Sequence, residues 1–313
     1  MPIPLLVVIE LAADARLRLE EAGFEVDVEP DAEAGARRLQ QGAPHVRAVL
    51  TNGSTGLSAE DIAALPNLEI ICALGAGYER VDLAAARERG IVVTHGPGTN
   101  AACVADHAMA LLMTAVRGVV SADTAVRRGG WAGSRQLRPM ISGKKLGILG
   151  LGTIGEQIAR RGAHGFGMPV AYHSRRAREG SDWLYLPSVR DLAAWADFLV
   201  VATPGGAATR HLVDEGVLDA LGPDGFLVNI ARGSVVDTHA LIAALRQGRL
   251  AGAALDVVEG EPDIPPELLE LDNIVLTPHI AGRAPEAARA TLSLVIDNLQ
   301  AHFGGRAVLT PVA

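Results

Sequence analysis

The sequence predicts an α/β protein built from two doubly wound parallel-sheet domains, and three observations lead there. Apolar β-branched runs alternate with Ala/Leu/Arg stretches of helical period. The alternation is played through twice along 313 residues, a length that suits two domains. Glycine is abundant, 35 residues against about 22 for average usage, so tight turns are many. Strands separated by helices form βαβ units, and these build parallel sheets.

Taken in order, "IPLLVVI", "FEVDV", "RAVLT", "EIICAL" and "IVVTH" predict the strands of the first hundred residues, divided by helical stretches such as "DARLRLEEAG". The opening "MPIPLLVVIE" has no basic leader and meets Glu10 at once, so it reads as a first strand and not a signal peptide. Residues 101–120 form the most apolar longer stretch. They contain Asp106, His107 and Arg117, which predicts a buried helix rather than a membrane span. A second strand series follows in "KLGILG", "PVAYH", "DFLVVA", "FLVNI", "GAALDV" and "NIVLT", six runs that suit a nucleotide-binding sheet. "PEAARATLSLVIDNLQAHF" is an amphipathic helix with the tail "GGRAVLTPVA"; with no strand left to serve in the second sheet, it is expected to return to the first domain.

A net charge of −8 argues against nucleic acid and against an anionic membrane surface, both of which need basic protein. The two cysteines, Cys72 and Cys103, have apolar neighbours and no CxxC spacing, so no disulfide framework and no metal site are expected. A reducing cytoplasm fits that usage.

The most informative local motif is "KKLGILGLGTIGEQIARRG". Gly150, Gly152 and Gly155 stand between a strand and a helix, as the dinucleotide fingerprint requires. Gly150 permits the turn, Gly152 admits a pyrophosphate and Gly155 lets the helix pack on the strand. The helix start then offers N–H groups to phosphates. About 20 residues further on, an NAD enzyme shows a carboxylate for the ribose hydroxyl. Here that region reads His173, Ser174, Arg175 and Arg176. A hydroxyl and a guanidinium fork suit a 2′-phosphate, so NADPH/NADP is the predicted cofactor, with a solvated basic turn as the alternative.

Three more stretches put polar residues beyond successive apolar strands: Arg232 in "VNIARGSVVD", Glu261 in "ALDVVEGEP" and His279 in "TPHIAG". Open α/β sheets bind ligands at those strand ends. An imidazole is a suitable general acid near neutral pH, a carboxylate orients it, and an arginine fork grips a substrate carboxylate. Six other histidines, His45, His95, His107, His164, His211 and His302, are assigned to surface or structural positions.

Together "GLGTIG", "NIARGSVVD", "ALDVVEGEP" and "TPHIAG", collinear over essentially the whole chain, resemble the D-isomer-specific 2-hydroxyacid dehydrogenases. "YHSRR" is similar to the cofactor turn of the NADPH-dependent glyoxylate and hydroxypyruvate reductase branch. The resemblance implies a flavodoxin-like substrate domain, residues 1–99 plus 285–313, with a Rossmann cofactor domain, residues 100–284, inserted into it. It implies a catalytic trio of Arg232, Glu261 and His279. It places the cofactor against Gly150, Gly152, Thr153, Ile154, Gly155 and the His173–Arg176 turn. It adds Thr203, Pro204, Thr209, Ile230, Ala231, Asp256 and Ala281. The substrate carboxylate would meet Asn52, Gly53, Ser54, Ala76 and Gly77, with Arg232 and His279. The long helix after "GTN" would build a homodimer.

The implied reaction is NADPH-dependent reduction of a small 2-oxo acid, glyoxylate or hydroxypyruvate, to the D-2-hydroxy acid, with the proton from His279. The alternatives are reduction of a bulkier 2-oxo acid such as an aryl pyruvate, and a nucleotide-sensing binding protein like the C-terminal-binding-protein corepressors, which also resemble the family. Asp106 in place of the usual Glu, Val258 in place of an aromatic, and the pair Gly205–Gly206 depart from the family pattern.

Overall fold

The computed structural model of the chain describes residues 2–29 and 32–312. It divides into two compact units, Met1–Asn100 with Arg283–Ala313, and Ala101–Gly282. In the first unit β1 (Ile3–Val7), α1 (Ala13–Glu21), β2 (Phe24–Val28), α2 (Ala32–Gln40), β3 (Ala48–Thr51), α3 (Ala59–Ala63), β4 (Ile70–Ala73), α4 (Leu83–Glu88) and β5 (Val92–Thr94) alternate strictly. The strands pair in parallel in the order β2-β1-β3-β4-β5, the flavodoxin-like arrangement.

Central strands are predominantly apolar because both faces are covered: every residue of β3 and β4 is buried, and the one polar side chain, Thr51, donates to Gly56 O. At the edge, β2 alternates instead, with Glu25 and Asp27 turned to solvent, which discourages pairing with another chain. Helix starts are written in the sequence by caps. Ser58 and Asp61 form a reciprocal capping box at α3, and Asp82 caps α4. The closing helix, α12 (Pro285–Phe303), buries Leu292, Val295 and Leu299 against Leu5, Val7, Leu50 and Cys72 of the sheet, so the C-terminal segment does join the first unit. Beyond it Val312 N–H donates to Val93 O at 2.8 Å, beside an antiparallel bridge from Pro311 to Thr94. Burial pushes the Cys72 thiol up to about 12 despite the hydroxyl of Thr94 nearby, which leaves it unreactive at neutral pH.

The second unit opens with α5 (Ala101–Arg117) and α6 (Val119–Arg127), bent by 59° at the break between them. Among the described residues no single helix is long and apolar enough to cross a membrane. Val104, Ala105, Ala108, Leu111 and Leu112 of α5 are buried in the unit's own core. Then come β6 (Leu146–Leu149), α7 (Thr153–Phe166), β7 (Val170–His173), β8 (Leu184–Tyr185), α8 (Val189–Trp195), β9 (Phe198–Val201) and α9 (Glu215–Leu221). The unit closes with β10 (Phe226–Asn229), α10 (Thr238–Arg246), β11 (Gly252–Leu255), α11 (Pro266–Leu269) and β12 (Ile274–Leu276). The parallel order is β12-β11-β10-β9-β6-β7-β8. From β6 the chain winds outward through β7 and β8, then returns to β9 on the other side, which leaves a switch point at the carboxyl ends of β6 and β9.

The sequence predicts six strands here and the structure has a seventh, β8. It is two residues long at the sheet edge, too short for a period to announce it.

Candidate functional site

Arg232, Glu261 and His279 follow β10, β11 and β12, which are neighbours in the sheet, so all three leave from the same edge of the fold. His279 Nδ1 lies 2.6 Å from Glu261 Oε1, and the second carboxylate oxygen accepts the Val258 N–H at 3.2 Å. Burial would raise the Glu261 carboxyl. The His279 hydrogen bond and charge, the Val258 amide and the Arg232 charge outweigh it and hold the group below the usual carboxylate range. An ionised carboxylate only accepts, so Nδ1 carries the proton in this bond and Nε2 is left for a ligand.

His279 has a left-handed backbone, φ 53°, an unusual conformation for a residue with a side chain. Asp256, 2% exposed, holds it there. The Asp256 carbonyl accepts His279 N–H at 2.8 Å, and its carboxylate takes the Ile280 and Ala281 N–H groups at 2.9 Å each and the Thr277 hydroxyl at 2.6 Å. His107 of α5 closes the cluster, 3.1 Å from Thr277 Oγ1. Asp256 is therefore a clamp on the histidine turn, a role that the sequence does not disclose. The Arg232 turn is pinned in a similar way by the buried Asn229, whose amide donates to Arg232 O and accepts from Ala231 N, both at 3.0 Å.

The Arg232 stem crosses Gly205, where an added Cβ would lie 2.7 Å from Arg232 Cγ. That close approach accounts for one of the two loop glycines that depart from the family pattern. Asp106, another departure, pairs with Arg161 at 2.7 Å.

At the glycine turn Gly150 has φ 100°, and a Cβ on Gly155 would fall 2.0 Å from Gly150 O, so α7 touches the turn directly. Gly152 faces open space. A cavity of about 520 Å³ lies there, lined by Leu151, Gly152, Thr153, Glu156, Gln157, Arg160 and Arg178. An open cradle at a helix start, with cationic side chains around it, fits a dinucleotide phosphate. Ile154 follows Thr153 in the first turn of α7.

At the tip of β7 Arg175 and Arg176 are exposed, as a phosphate-binding fork requires. Two partners differ from expectation. The His173 ring lies 2.9 Å from Leu186 O and stacks on Tyr185, while the Ser174 hydroxyl donates to Arg176 O at 2.7 Å. Arg178, missed in the sequence, leans on Glu156 at 3.4 Å, and Arg160 and Trp183 Nε1 meet the same carboxylate.

Thr203 and Pro204 follow β9, and Thr209 closes their loop by donating to Pro204 O at 2.8 Å. Ile230 and Ala231 are buried beyond β10, and Ala281 is buried beyond His279.

In the first unit the turns after β3 and β4 meet. A Cβ on Gly53 would lie 2.7 Å from the Gly77 carbonyl carbon, and Arg80 donates to Ser54 O at 2.8 Å. Asn52 Oδ1 accepts the N–H of Ser54 at 2.9 Å and of Thr55 at 2.7 Å, so the Ser54 amide is used within the turn. His95 Nδ1 lies 3.0 Å from Ala76 O and steadies the second turn.

Residues 109–281 match the family described as D-isomer specific 2-hydroxyacid dehydrogenase, NAD binding domain. Over 268 residues the chain is 47% identical to a glyoxylate/hydroxypyruvate reductase A of Arabidopsis thaliana, covering 85% of each. It is 44% identical over 271 residues to a hydroxyphenylpyruvate reductase of Plectranthus scutellarioides, covering 86% of each. Among solved structures, an NADPH-dependent glyoxylate/hydroxypyruvate reductase of Sinorhizobium meliloti in complex with NADP and malonate superposes with a TM-score of 0.91 at 38% identity, over 100% of this chain and 97% of that one.

Proposed function

The chain belongs to the D-isomer specific 2-hydroxyacid dehydrogenase family, and on that premise we propose that it reduces glyoxylate or hydroxypyruvate to the D-2-hydroxy acid with NADPH. The observation that carries the reading is the 2.6 Å bond from His279 to an ionised Glu261, in one row of strand ends with Arg232. When bound, the reduced nicotinamide supplies a hydride for C2 of the oxo acid. His279 Nε2 donates the proton to the carbonyl oxygen, and Glu261 keeps the imidazolium oriented and charge-balanced. Arg232 grips the carboxylate and polarises the carbonyl. The amides of Gly53, Ala76 and Gly77 are assigned to the substrate carboxylate, with Asn52 and Ser54 shaping their turn.

Gly150, Gly152, Thr153, Ile154 and Gly155 hold the pyrophosphate, and Ser174, Arg175 and Arg176 hold the 2′-phosphate, with His173 packed beneath them. Thr203, Pro204, Thr209, Ile230, Ala231 and Ala281 line the rest of the cofactor site, and Asp256 secures the turn on which His279 rides.

The test is a turnover assay with NADPH followed by nicotinamide absorbance over a panel of 2-oxo acids. Sustained oxidation with glyoxylate or hydroxypyruvate supports the reading; binding of NADPH with no turnover of any panel member would overturn it. Arg175→Ala is expected to weaken NADPH by about 1.5–3 kcal/mol, the worth of a hydrogen bond to a charged group, and to leave NADH nearly unchanged. Equal losses for both cofactors would remove the 2′-phosphate role.

A second reading, a bulkier aryl-substituted 2-oxo acid, is favoured by the hydroxyphenylpyruvate reductase relative. The same panel separates the two through kcat/KM.

The enzyme acts as a homodimer in this reading. Val119, Val120 and Val126 of α6, with Trp131, Leu137 and Met140 just beyond, are exposed within 22 successive residues, an apolar density characteristic of an interface. Sedimentation equilibrium should return twice 32.6 kDa; a monomer at assay concentration would refute it.

A further inference from the structure

Among the described residues two that are not glycine have a left-handed backbone, and both are histidines: His279 at φ 53° and His211 at φ 50°. Both rings are bonded to glutamates of one short stretch beyond β11. His279 meets Glu261, and His211 Nε2 lies 3.1 Å from each carboxylate oxygen of Glu259. A strained backbone persists where the surroundings over-determine it, and such outliers gather at functional sites.

The bonds around His211 connect three separate loops. Its own N–H donates to Ser234 O at 2.8 Å, two residues past Arg232. Val213 N–H donates to Val235 O at 3.0 Å, which continues the seam. Its ring reaches Glu259, which Arg210 also holds at 2.9 Å, while Asp237 stands 3.7 Å from Nδ1. Glu259 in turn lies against the Arg232 turn, since a Cβ on Gly233 would fall 2.2 Å from Glu259 N. The loop beyond β9, the turn that carries Arg232 and the stretch that carries Glu261 therefore meet at His211, whose backbone N–H holds the Arg232 turn and whose ring holds Glu259.

We infer that His211 is a positioning residue for the reaction: bound to Glu259 and to the Arg232 turn, it sets the spacing of Arg232 and Glu261 and, through Glu261, the direction of His279. It touches neither substrate nor cofactor. The inference rests on the proposed function only for its kinetic readout.

The variants are made in the full-length enzyme. His211→Gly keeps the backbone conformation without penalty and removes the ring. It is expected to lower kcat/KM for the oxo acid ten- to a hundred-fold, the scale of a misplacement of about 1 Å. The loss should fall mainly on the KM of the oxo acid, with Kd for NADPH and Tm close to wild type. His211→Gln can bring its amide nitrogen to where Nε2 stands and donate to Glu259, so it should recover part of the loss. Glu259→Ala should cost the same factor as His211→Gly, and the double variant no more than either. Wild-type kinetics in His211→Gly, losses that add in the double variant, or a fall in Tm with unchanged KM would each overturn the role.

A second measurement does not need turnover. The His279 Nδ1 proton in its bond to Glu261 should give a downfield NMR signal in the wild type that shifts or broadens in His211→Gly. If the wild type turns over no 2-oxo acid, that signal decides alone: a change keeps the positioning role while the proposed reaction falls, and no change removes the positioning role.

Discussion

His279→Ala is expected to lower turnover roughly 10²- to 10⁴-fold, the contribution of a well-placed general acid, and to leave NADPH affinity nearly intact. The ring is bonded to Glu261 and belongs to the turn that Asp256 clamps, so its removal takes the proton donor without touching the glycine turn or the basic tip of β7. Alanine also sits poorly at φ 53°, so part of the loss would come from a relaxed turn. His279→Asn is the matched control, because asparagine tolerates that backbone and still cannot supply the proton. Both variants should be equally slow if the chemistry dominates. A parallel loss of NADPH binding in the asparagine variant would contradict the assignment.

Gly233→Ala should be nearly as damaging through a different cause. Its Cβ would lie 2.1 Å from the Val258 carbonyl carbon and 2.2 Å from Glu259 N, and both are backbone atoms that cannot rotate away. One of two segments has to move: the turn that carries Arg232 or the stretch that carries Glu261. Overpacking of this kind costs about 1–3 kcal/mol of stability. A shift of about 1 Å between the two groups can cost 10²-fold in rate. The observable is kcat/KM on protein that melts in a single cooperative transition. Gly152→Ala is the contrast, since nothing lies within 4 Å of its added carbon and the fold should keep its Tm. An active Gly233→Ala enzyme would mean that the spacing of these segments is not critical.

The central strands were legible because parallel sheets covered on both faces demand unbroken apolar runs, as in β9. β8 was not, since a two-residue strand at an edge is too short to carry a period, and the partners it gives His173 went unseen with it. β8 brings Tyr185 and Leu186 against His173, so a ring placed by sequence at the cofactor's ribose is engaged within the protein. Arg232, Glu261 and His279 could be found because each stands directly after an apolar strand, where the fold class makes polar residues meaningful.

The groups that hold them in place could not. His107 reaches Thr277 across 170 residues, and His211 reaches Glu259 across 48. Neither pairing leaves a local spacing to read. Arg178 lay hidden for a simpler reason: in a turn with three other polar or basic residues before it, sequence alone gives no sign of which side chain bends back toward the glycines.

The unit Ala101–Gly282 is one uninterrupted length of chain, and its two ends are neighbours: the Cys103 thiol donates to Ala281 O at 2.9 Å. Segments whose ends coincide can be excised or transplanted with little disturbance. A gene fragment spanning that stretch would thus encode a self-closing module that already contains the glycine turn, the arginines of β7 and all three residues assigned to proton transfer and carboxylate capture. The remaining unit, assembled from two separated pieces of polypeptide, has no such portability.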